Sequence, residues 1–220
     1  TRVRSSAASD VYKRQEALQG VVEDGTRIGL LVSFAPALIL ATLASPGIRA
    51  WVGAGYETSA RILLVLVAAF VVNSLVAPMR MILYGAGRVR TLALVESANA
   101  LCNLGLSVLF AHIIGLVGVA VGTLAGTVLV SLPATLFLGT RMVGIIPTRM
   151  IRASVAPHLL PAAVSAGVLL VLRYTIAGSL AGVVVTAVAG AVVYGITYLR
   201  FGAPAAERSR VLALLRRIRR

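Results

Sequence analysis

The run ILLVLVAAFVVNSLVAPMRMILY, residues 62–84, decides the fold class of this chain. Nearly all of its residues are apolar, and it exceeds the roughly 20 helical residues that cross the hydrocarbon core of a bilayer. Similar apolar runs precede and follow it, so the sequence predicts an all-α integral membrane protein with about six transmembrane helices. The predicted spans are residues 28–48, 62–84, 91–114, 117–138, 160–177 and 180–199.

The overall composition points to the same class. Of 220 residues, 59% are apolar and only 13% are charged, with a mean hydropathy of +0.95, whereas soluble domains carry about one quarter charged residues. The net charge of +14 raises the question of nucleic acid. However, the basic residues lie between the apolar runs, and aromatic residues make up only 5% of the chain, which leaves bases little to stack on. We therefore expect membrane lipids as partners and no nucleic acid.

The placement of arginine predicts the orientation of the spans, because cytoplasmic loops of membrane proteins are enriched in Lys and Arg. Most arginines after residue 80 lie in three regions: Arg88 and Arg90, then Arg141, Arg149 and Arg152, then seven arginines from Arg200 onward. The opposite side carries Arg49, Arg61 and Arg173. The sequence thus predicts a multi-pass membrane protein with both ends in the cytoplasm. All basic residues but Lys13 are arginine, a bias typical of GC-rich bacterial genomes, so we expect the bacterial cytoplasmic membrane.

The two ends of the chain differ from its apolar middle. Residues 1–15 resemble translated sequencing-adapter read-through, so we expect a non-native segment and exclude it from functional reasoning. Residues 16–27 are predicted to be a cytoplasmic lead-in, and residues 200–220 a basic cytoplasmic tail. Within that tail, residues 207–220 can form an amphipathic helix on anionic headgroups, or remain a frayed, positively charged tail.

Signs of catalysis or metal binding are missing from the sequence. The only lysine is Lys13, so a phosphate-binding loop of the glycine-lysine type cannot form. Cys102 is the only cysteine, and His112 and His158 lie near predicted span ends without a metal-ligand neighbour. We expect no enzyme activity, no cofactor and no metal.

Arg80 and Glu96 are the charged residues predicted to lie inside spans two and three. The turn around residues 85–87 makes these spans an antiparallel hairpin, which places the two side chains at comparable depth. They form either a structural ion pair near the membrane surface or part of a cavity mouth. In the second case Arg80 could bind a pyrophosphate bidentately.

Span three also carries a polar stripe. Glu96, Asn99, Asn103 and Ser107 follow one another at offsets of three, four and four, and so share one helical face. The stripe could line a hydrated sugar path or form hydrogen bonds between helices. Asn73 in span two is a candidate partner for it.

Span four carries glycines at every fourth position, namely Gly118, Gly122 and Gly126. Small residues at this spacing allow two helices to approach closely. We therefore predict that these glycines serve helix packing and not chemistry.

The segment from residue 52 to residue 138 resembles the second half of the polysaccharide exporters, the O-antigen flippase-like branch of the multidrug/oligosaccharidyl-lipid/polysaccharide superfamily. Four elements in their order and spacing carry the resemblance: Asn73 followed by Pro78, YGAGR at 84–88, NLGLS at 103–107, and GLVGVAVGT at 115–123. The resemblance covers about 90 residues, and the rest of the chain agrees in hydropathy.

This resemblance implies a fold and a function. Family members have two six-helix lobes around a central cavity, so the chain would be the C-terminal lobe and its partners would be the missing N-terminal lobe and lipid-linked oligosaccharide. Transport would proceed by alternating access, with the substrate at the interface of the lobes. The substrate-binding candidates are Arg80, Asn73, Glu96, Asn99 and Asn103.

Two sets of alternatives remain open at this point. A cation-coupled multidrug exporter or a lipid II flippase of the same superfamily would share the fold, although an exporter should carry more intramembrane acids than Glu96. A non-transporting scaffold for polysaccharide synthesis would suit spans five and six, which are almost purely Ala, Val, Leu and Gly. We also expect poor function of this chain without a second lobe, because half a cavity exposes its polar face to lipid.

Overall fold

The structure, a computed structural model, describes residues 2–205 and 207–209. This part of the chain is helical and contains no strand. Its α-helices are α1 (Arg2–Val52), α2 (Glu57–Gly85), α3 (Val89–Ile114), α4 (Leu116–Gly126), α5 (Leu132–Leu138), α6 (Pro147–Thr175) and α7 (Leu180–Thr197). Three π-helical segments accompany them: π1 (Thr127–Ser131), π2 (Gly139–Val143) and π3 (Tyr198–Gly202).

Six continuous helical rods in the described part of the chain are long and apolar enough to cross a membrane. They are Tyr12–Val52, Glu57–Gly85, Val89–Ile114, Leu116–Val143, Pro147–Thr175 and Leu180–Gly202. The fourth rod joins α4, π1, α5 and π2, and the sixth joins α7 and π3. The predicted all-α membrane fold class is confirmed. The first and last residues of the second, third, fourth and sixth rods lie within five residues of those predicted for the corresponding spans.

Short connections make successive rods antiparallel. Residues 53–56, Gly115 and residues 176–179 connect them at one end, and residues 86–88 and 144–146 connect them at the other. Gly115 has a positive φ of 67°, a conformation that favours glycine. We call the first end the outer end and the second the inner end, following the predicted orientation.

The rods form two groups that meet at α1 and α2. In one group α1, α6 and α7 pack together, and in the other α2 and α3 pack against the fourth rod. A core at the inner end ties the groups to each other: it contains Val22, Met79, Leu83, Leu92, Leu138, Val143, Ile145 and Met150. Away from the core, large apolar side chains of α3 such as Leu94 and Leu101 are 72% and 71% exposed, as expected for a lipid-facing surface.

The segment predicted as a lead-in, residues 16–27, is a packed part of α1. Gln19 and Val22 are buried there, and the Gln19 Oε1 atom accepts a hydrogen bond from the backbone N–H of Ile146 at 2.7 Å. This bond satisfies a backbone donor beside the start of α6, where the helix itself supplies no partner. The low hydropathy of the segment hid its packing from sequence analysis, although Val22 belongs to the apolar core.

The fifth span begins earlier than predicted. Residues 147–159, expected to be a polar connection, are the first turns of α6, with Pro147 at the helix start and Pro157 and Pro161 inside it. Because Pro161 has no N–H, the Pro157 carbonyl loses its helical partner. Gly202 lies against this carbonyl without a side chain to obstruct it. Membrane helices tolerate such prolines when neighbouring helices pack around them.

Candidate functional site

Arg80 and Glu96 lie next to each other on the α2–α3 hairpin, as the sequence predicted. Their closest charged atoms, Arg80 Nη1 and Glu96 Oε1, are 3.6 Å apart. The Arg80 side chain is only 14% exposed, whereas that of Glu96 is 40% exposed. The arginine is thus the buried member of this ion pair.

Two neutral side chains hold the Arg80 guanidinium in addition to Glu96. It donates one hydrogen bond to Asn73 Oδ1, about two helical turns earlier on the same face of α2, and another to Ser131 Oγ at 3.1 Å. Ser131 closes the π1 segment of the fourth rod. π-helical turns often occur at functional sites, and here π1 supplies the hydroxyl of Ser131.

A polar cavity of about 310 Å³ surrounds this arginine between α2, α3 and the fourth rod. Its walls consist of Asn73, Arg80, Met81, Tyr84, Glu96, Asn99, Thr127 and Ser131. The Asn99 Oδ1 atom is buried and has no hydrogen-bond partner within the described residues. A buried acceptor without a partner is costly in the absence of water or a ligand, so the wall of the cavity carries one unsatisfied polar atom.

The two halves of the polar stripe on α3 make different contacts. Glu96 and Asn99 line the cavity, but Asn103 does not. The Asn103 Oδ1 atom accepts hydrogen bonds from Ser107 Oγ at 2.9 Å and Thr123 Oγ1 at 3.3 Å. Ser107 Oγ also donates to the Val119 carbonyl at 3.1 Å. The inner half of the stripe therefore faces the cavity, and the outer half joins α3 to α4.

The three glycines of α4 face α3 at close range. A Cβ atom on Gly118 would collide with the Phe110 carbonyl, and one on Gly122 would collide with Ser107. At Gly126 the nearest atoms to such a Cβ are Asn103 Cβ and Asn99 Oδ1, both 3.2 Å away. These contacts bring the backbones of α3 and α4 together and position the outer wall of the cavity.

A second polar cluster, which sequence analysis missed, lies among α1, α6 and α7. We call it the sealed cluster; it consists of Arg27, His158, Tyr194, Tyr198 and Glu207. His158 is fully buried, with its Nε2 atom 3.0 Å from the Arg27 carbonyl and its Nδ1 atom 2.8 Å from the Tyr194 hydroxyl. Since a carbonyl can only accept, Nε2 carries a proton, and in a neutral imidazole Nδ1 accepts from the tyrosine.

The sealed cluster continues into an ion pair. Arg27 Nη2 lies 2.7 Å from Glu207 Oε1, and the Tyr198 hydroxyl donates to Glu207 Oε2 at 3.1 Å. The Tyr198 ring also stacks on His158 with centroids 4.9 Å apart. Sequence analysis placed His158 near a span end because the fifth span was predicted to start at residue 160. The recurrence of Tyr194 and Tyr198 four residues apart on one face was the available signal.

Within residues 2–205 and 207–209, no group of three or more His, Cys, Asp or Glu side chains is arranged to hold a metal. The chemistry that the cavity offers is hydrogen bonding and charge: one arginine, one glutamate, two amides and three hydroxyls. An arginine fork of this kind binds phosphate oxygens in a planar, bidentate manner.

These features define an all-α, multi-pass membrane protein with a polar cavity in one of its two helix groups. No protein-family model, no curated protein and no solved structure matches the chain. The resemblance to polysaccharide exporters therefore stays a prediction, and the function has to be argued from the site.

Proposed function

We propose that this chain is one lobe of a flippase that moves lipid-linked oligosaccharide, carried on polyprenyl pyrophosphate, across the bacterial cytoplasmic membrane. The observation that carries the proposal is the buried Arg80 in a polar cavity inside a membrane-spanning helix pair. Arg80 lies five residues before Gly85, the last residue of α2, which corresponds to about 8 Å of helix. A charge within a span is costly and marks ion or substrate paths by default.

The arrangement around Arg80 suits a pyrophosphate that binds and leaves. A guanidinium has five N–H donors, and Asn73 and Ser131 accept from two of its nitrogen atoms. Glu96 is near but not at hydrogen-bonding distance. A phosphate oxygen can replace this distant carboxylate as the partner of Arg80, while Asn99 and Thr127 offer groups for sugar hydroxyls.

Alternating access would expose this cavity first to the inner side and then to the outer side. In the proposed mechanism a second lobe covers the cavity side of α2 and α3, and rocking of the lobes carries the pyrophosphate and sugar through while the polyprenyl chain stays in lipid. Both chain ends would lie in the cytoplasm, in keeping with the arginine-rich inner connections.

Glu96 supports a second candidate, a cation-coupled multidrug exporter. Its carboxylate is 40% exposed and lines the cavity, so it could carry the proton that such an exporter exchanges for a drug. The two candidates differ in which residue is indispensable. The flippase requires the arginine to bind an anion, whereas the exporter requires the acid.

Complementation distinguishes them. The complete reading frame from the source DNA is expressed in a bacterial strain that lacks its oligosaccharide flippase, and surface polysaccharide and drug tolerance are both scored. We expect restored polysaccharide, loss of it with Arg80→Ala at normal protein levels, and retention with Arg88→Ala, which removes an exposed arginine at the same membrane end.

Other outcomes would contradict the proposal in distinct ways. A gain in drug tolerance that Glu96→Gln abolishes, without restored polysaccharide, would establish the exporter. The absence of both phenotypes would favour a non-transporting scaffold. Restoration by the 220-residue chain alone would overturn the requirement for a second lobe.

A further inference from the structure

Three arginines lie at the outer end of the described chain, and the fold gathers them although they come from three helices. Arg49 is on α1, Arg61 on α2 and Arg173 on α6. Arg49 and Arg173 line one groove of about 310 Å³, and Arg61 and Arg173 line an adjoining groove of about 240 Å³. Arg173 and Ser45 belong to both, so the two grooves form one basic surface.

This basic surface has an excess of positive charge. Glu57 is the acid that lines it, and its Oε1 atom is 3.3 Å from Arg49 Nη2. Arg173 is fixed by donating to the Thr42 carbonyl at 3.1 Å, and Arg61 donates to Thr58 Oγ1 at 3.2 Å. Three like charges around one groove repel each other. Arginines that served only as membrane anchors would gain nothing from converging in this way, whereas an anion between them would relieve the repulsion.

An apolar groove continues from the basic surface toward the middle of the membrane. It has a volume of about 400 Å³ and shares Ala41 and Leu64 with the basic surface. Its remaining walls are Phe34, Ala37, Leu38, Val67, Ala68, Val71, Val72 and Ala162. The combined feature is therefore amphipathic, with a cationic head at the outer end and an apolar channel below it.

The depth of the apolar groove matches one leaflet. On α2 it extends from Leu64 to Val72, which corresponds to about 12 Å at 1.5 Å per residue. Half of a bilayer's hydrocarbon core is about 15 Å thick. A lipid with its phosphate among the arginines would thus place a hydrocarbon chain in the groove without crossing the membrane midplane.

We propose that this surface binds an anionic phospholipid of the outer-end leaflet. The phosphate lies between Arg49, Arg61 and Arg173, and one acyl chain fills the groove between α1 and α2. Charge complementarity favours an anionic lipid over an apolar helix as the occupant of the groove. A helix of that kind would leave the arginines without an anion. The inference does not depend on the proposed flippase activity.

The test uses the full chain reconstituted in nanodiscs of phosphatidylcholine and phosphatidylglycerol, with bound lipid counted by native mass spectrometry after release. We expect preferential retention of phosphatidylglycerol by the unmodified chain. The affinity for this lipid should be at least tenfold weaker in Arg49→Gln, because this variant loses a charge-assisted hydrogen bond to the phosphate. Arg49 suits the test since its side chain is 62% exposed and its removal does not disturb the core. Arg141→Gln, an exposed arginine at the inner end, is the matched control and should retain the lipid.

A second variant tests the apolar groove for the acyl chain separately from the arginines that hold the phosphate. Ala68→Phe fills the apolar groove from an exposed position and leaves all three arginines in place. We expect it to weaken phosphatidylglycerol binding as well, with no effect on binding of free glycerol phosphate.

Several results would overturn the proposal: equal retention of both lipids, retention unchanged by Arg49→Gln, or phosphatidylglycerol binding unaffected by Ala68→Phe. Displacement of phosphatidylglycerol by an isoprenyl pyrophosphate at equal concentration would reassign the site to the carrier lipid. A lipid-free dimer in the same spectra would instead show that a second copy covers the groove.

Discussion

The two polar clusters of this protein lie at similar depth but differ in how completely their groups are paired. In the sealed cluster, both ring nitrogens of His158 have partners and Arg27 forms a close ion pair with Glu207. We call the set of Asn73, Arg80, Glu96, Asn99 and Ser131 the open cluster. There the ion pair is longer, and the Asn99 Oδ1 atom has no partner within the described residues.

This difference separates a structural role from a binding role. A fully satisfied buried network fixes the arrangement of its helices and has nothing left to offer a ligand. A network with unused donors and acceptors beside a cavity costs stability and is retained where a ligand completes it. The sealed cluster therefore holds α1, α6 and α7 together, and the open cluster is where a substrate is expected.

The largest effect should come from breaking the ion pair of the sealed cluster. Arg27→Ala leaves Glu207 without its main partner, and removing one member of a buried pair costs about 3–5 kcal/mol. We expect a large fall in thermal stability in detergent, or loss of folded protein. Asp24→Ala is the control because Asp24 also pairs with Arg27 but is 66% exposed, so its loss should change little. Equal effects of the two variants would mean that the cluster is not a structural unit.

A smaller loss should follow from separating α3 and α4. Gly122→Ala places a methyl group against Ser107, and overpacking of this kind costs about 1–3 kcal/mol. Gly105→Ala, on the facing helix but with open space around the new Cβ atom, should be neutral or stabilising. The measurement is the unfolding temperature of both variants. A stable Gly122→Ala protein would show that the seam between these helices is loose.

Arg80→Ala should affect stability less than Arg27→Ala and activity more. Glu96 is 40% exposed and the other partners of Arg80 line an open cavity, so we expect a loss of about 1 kcal/mol or less. Polysaccharide complementation should nevertheless be abolished. Unfolding curves and complementation of the same variant check both parts, and a destabilisation as large as that of Arg27→Ala would make the open cluster structural too.

Small effects of different sign should distinguish the two halves of the α3 stripe. Asn103→Ala removes an acceptor for two side chains between α3 and α4, which in membranes costs about 0.6 kcal/mol per bond. Asn99→Ala removes an atom without a partner and should leave stability unchanged or slightly raised. In transport assays the order should reverse, with Asn99→Ala the more impaired. The opposite ranking in both assays would contradict the division of the stripe.

Hydropathy was enough to predict the fold class and most rod boundaries, because the bilayer imposes one length and one periodicity on every span. The Arg80–Glu96 contact was predictable for a similar reason, since a tight turn fixes the register of a hairpin. Both predictions depend on local sequence. They required no knowledge of which distant helices meet.

The missed features depend on packing between distant segments. Ser131 reaches Arg80 only because the fourth rod lies against α2, and a hydroxyl in an apolar span gives no sign of its partner. His158 was placed before the fifth span because that span was predicted to begin at residue 160. Prolines inside a soluble helix break or kink it, but membrane helices tolerate them where neighbouring helices pack around them.

The π1 segment changes which face of the fourth rod packs against α3 and which against α2. Each residue of an α-helix turns the chain by about 100°, so the extra residue in a π turn rotates everything beyond it relative to what precedes it. Before π1 the glycine face of the rod lies on α3, and beyond it Gly139 lies against Met79 of α2. The α4 helix already contacts both α2 and α3, and the added residue turns the later part of the rod further toward α2. The cavity lies at this turn, with walls from α2, α3 and π1.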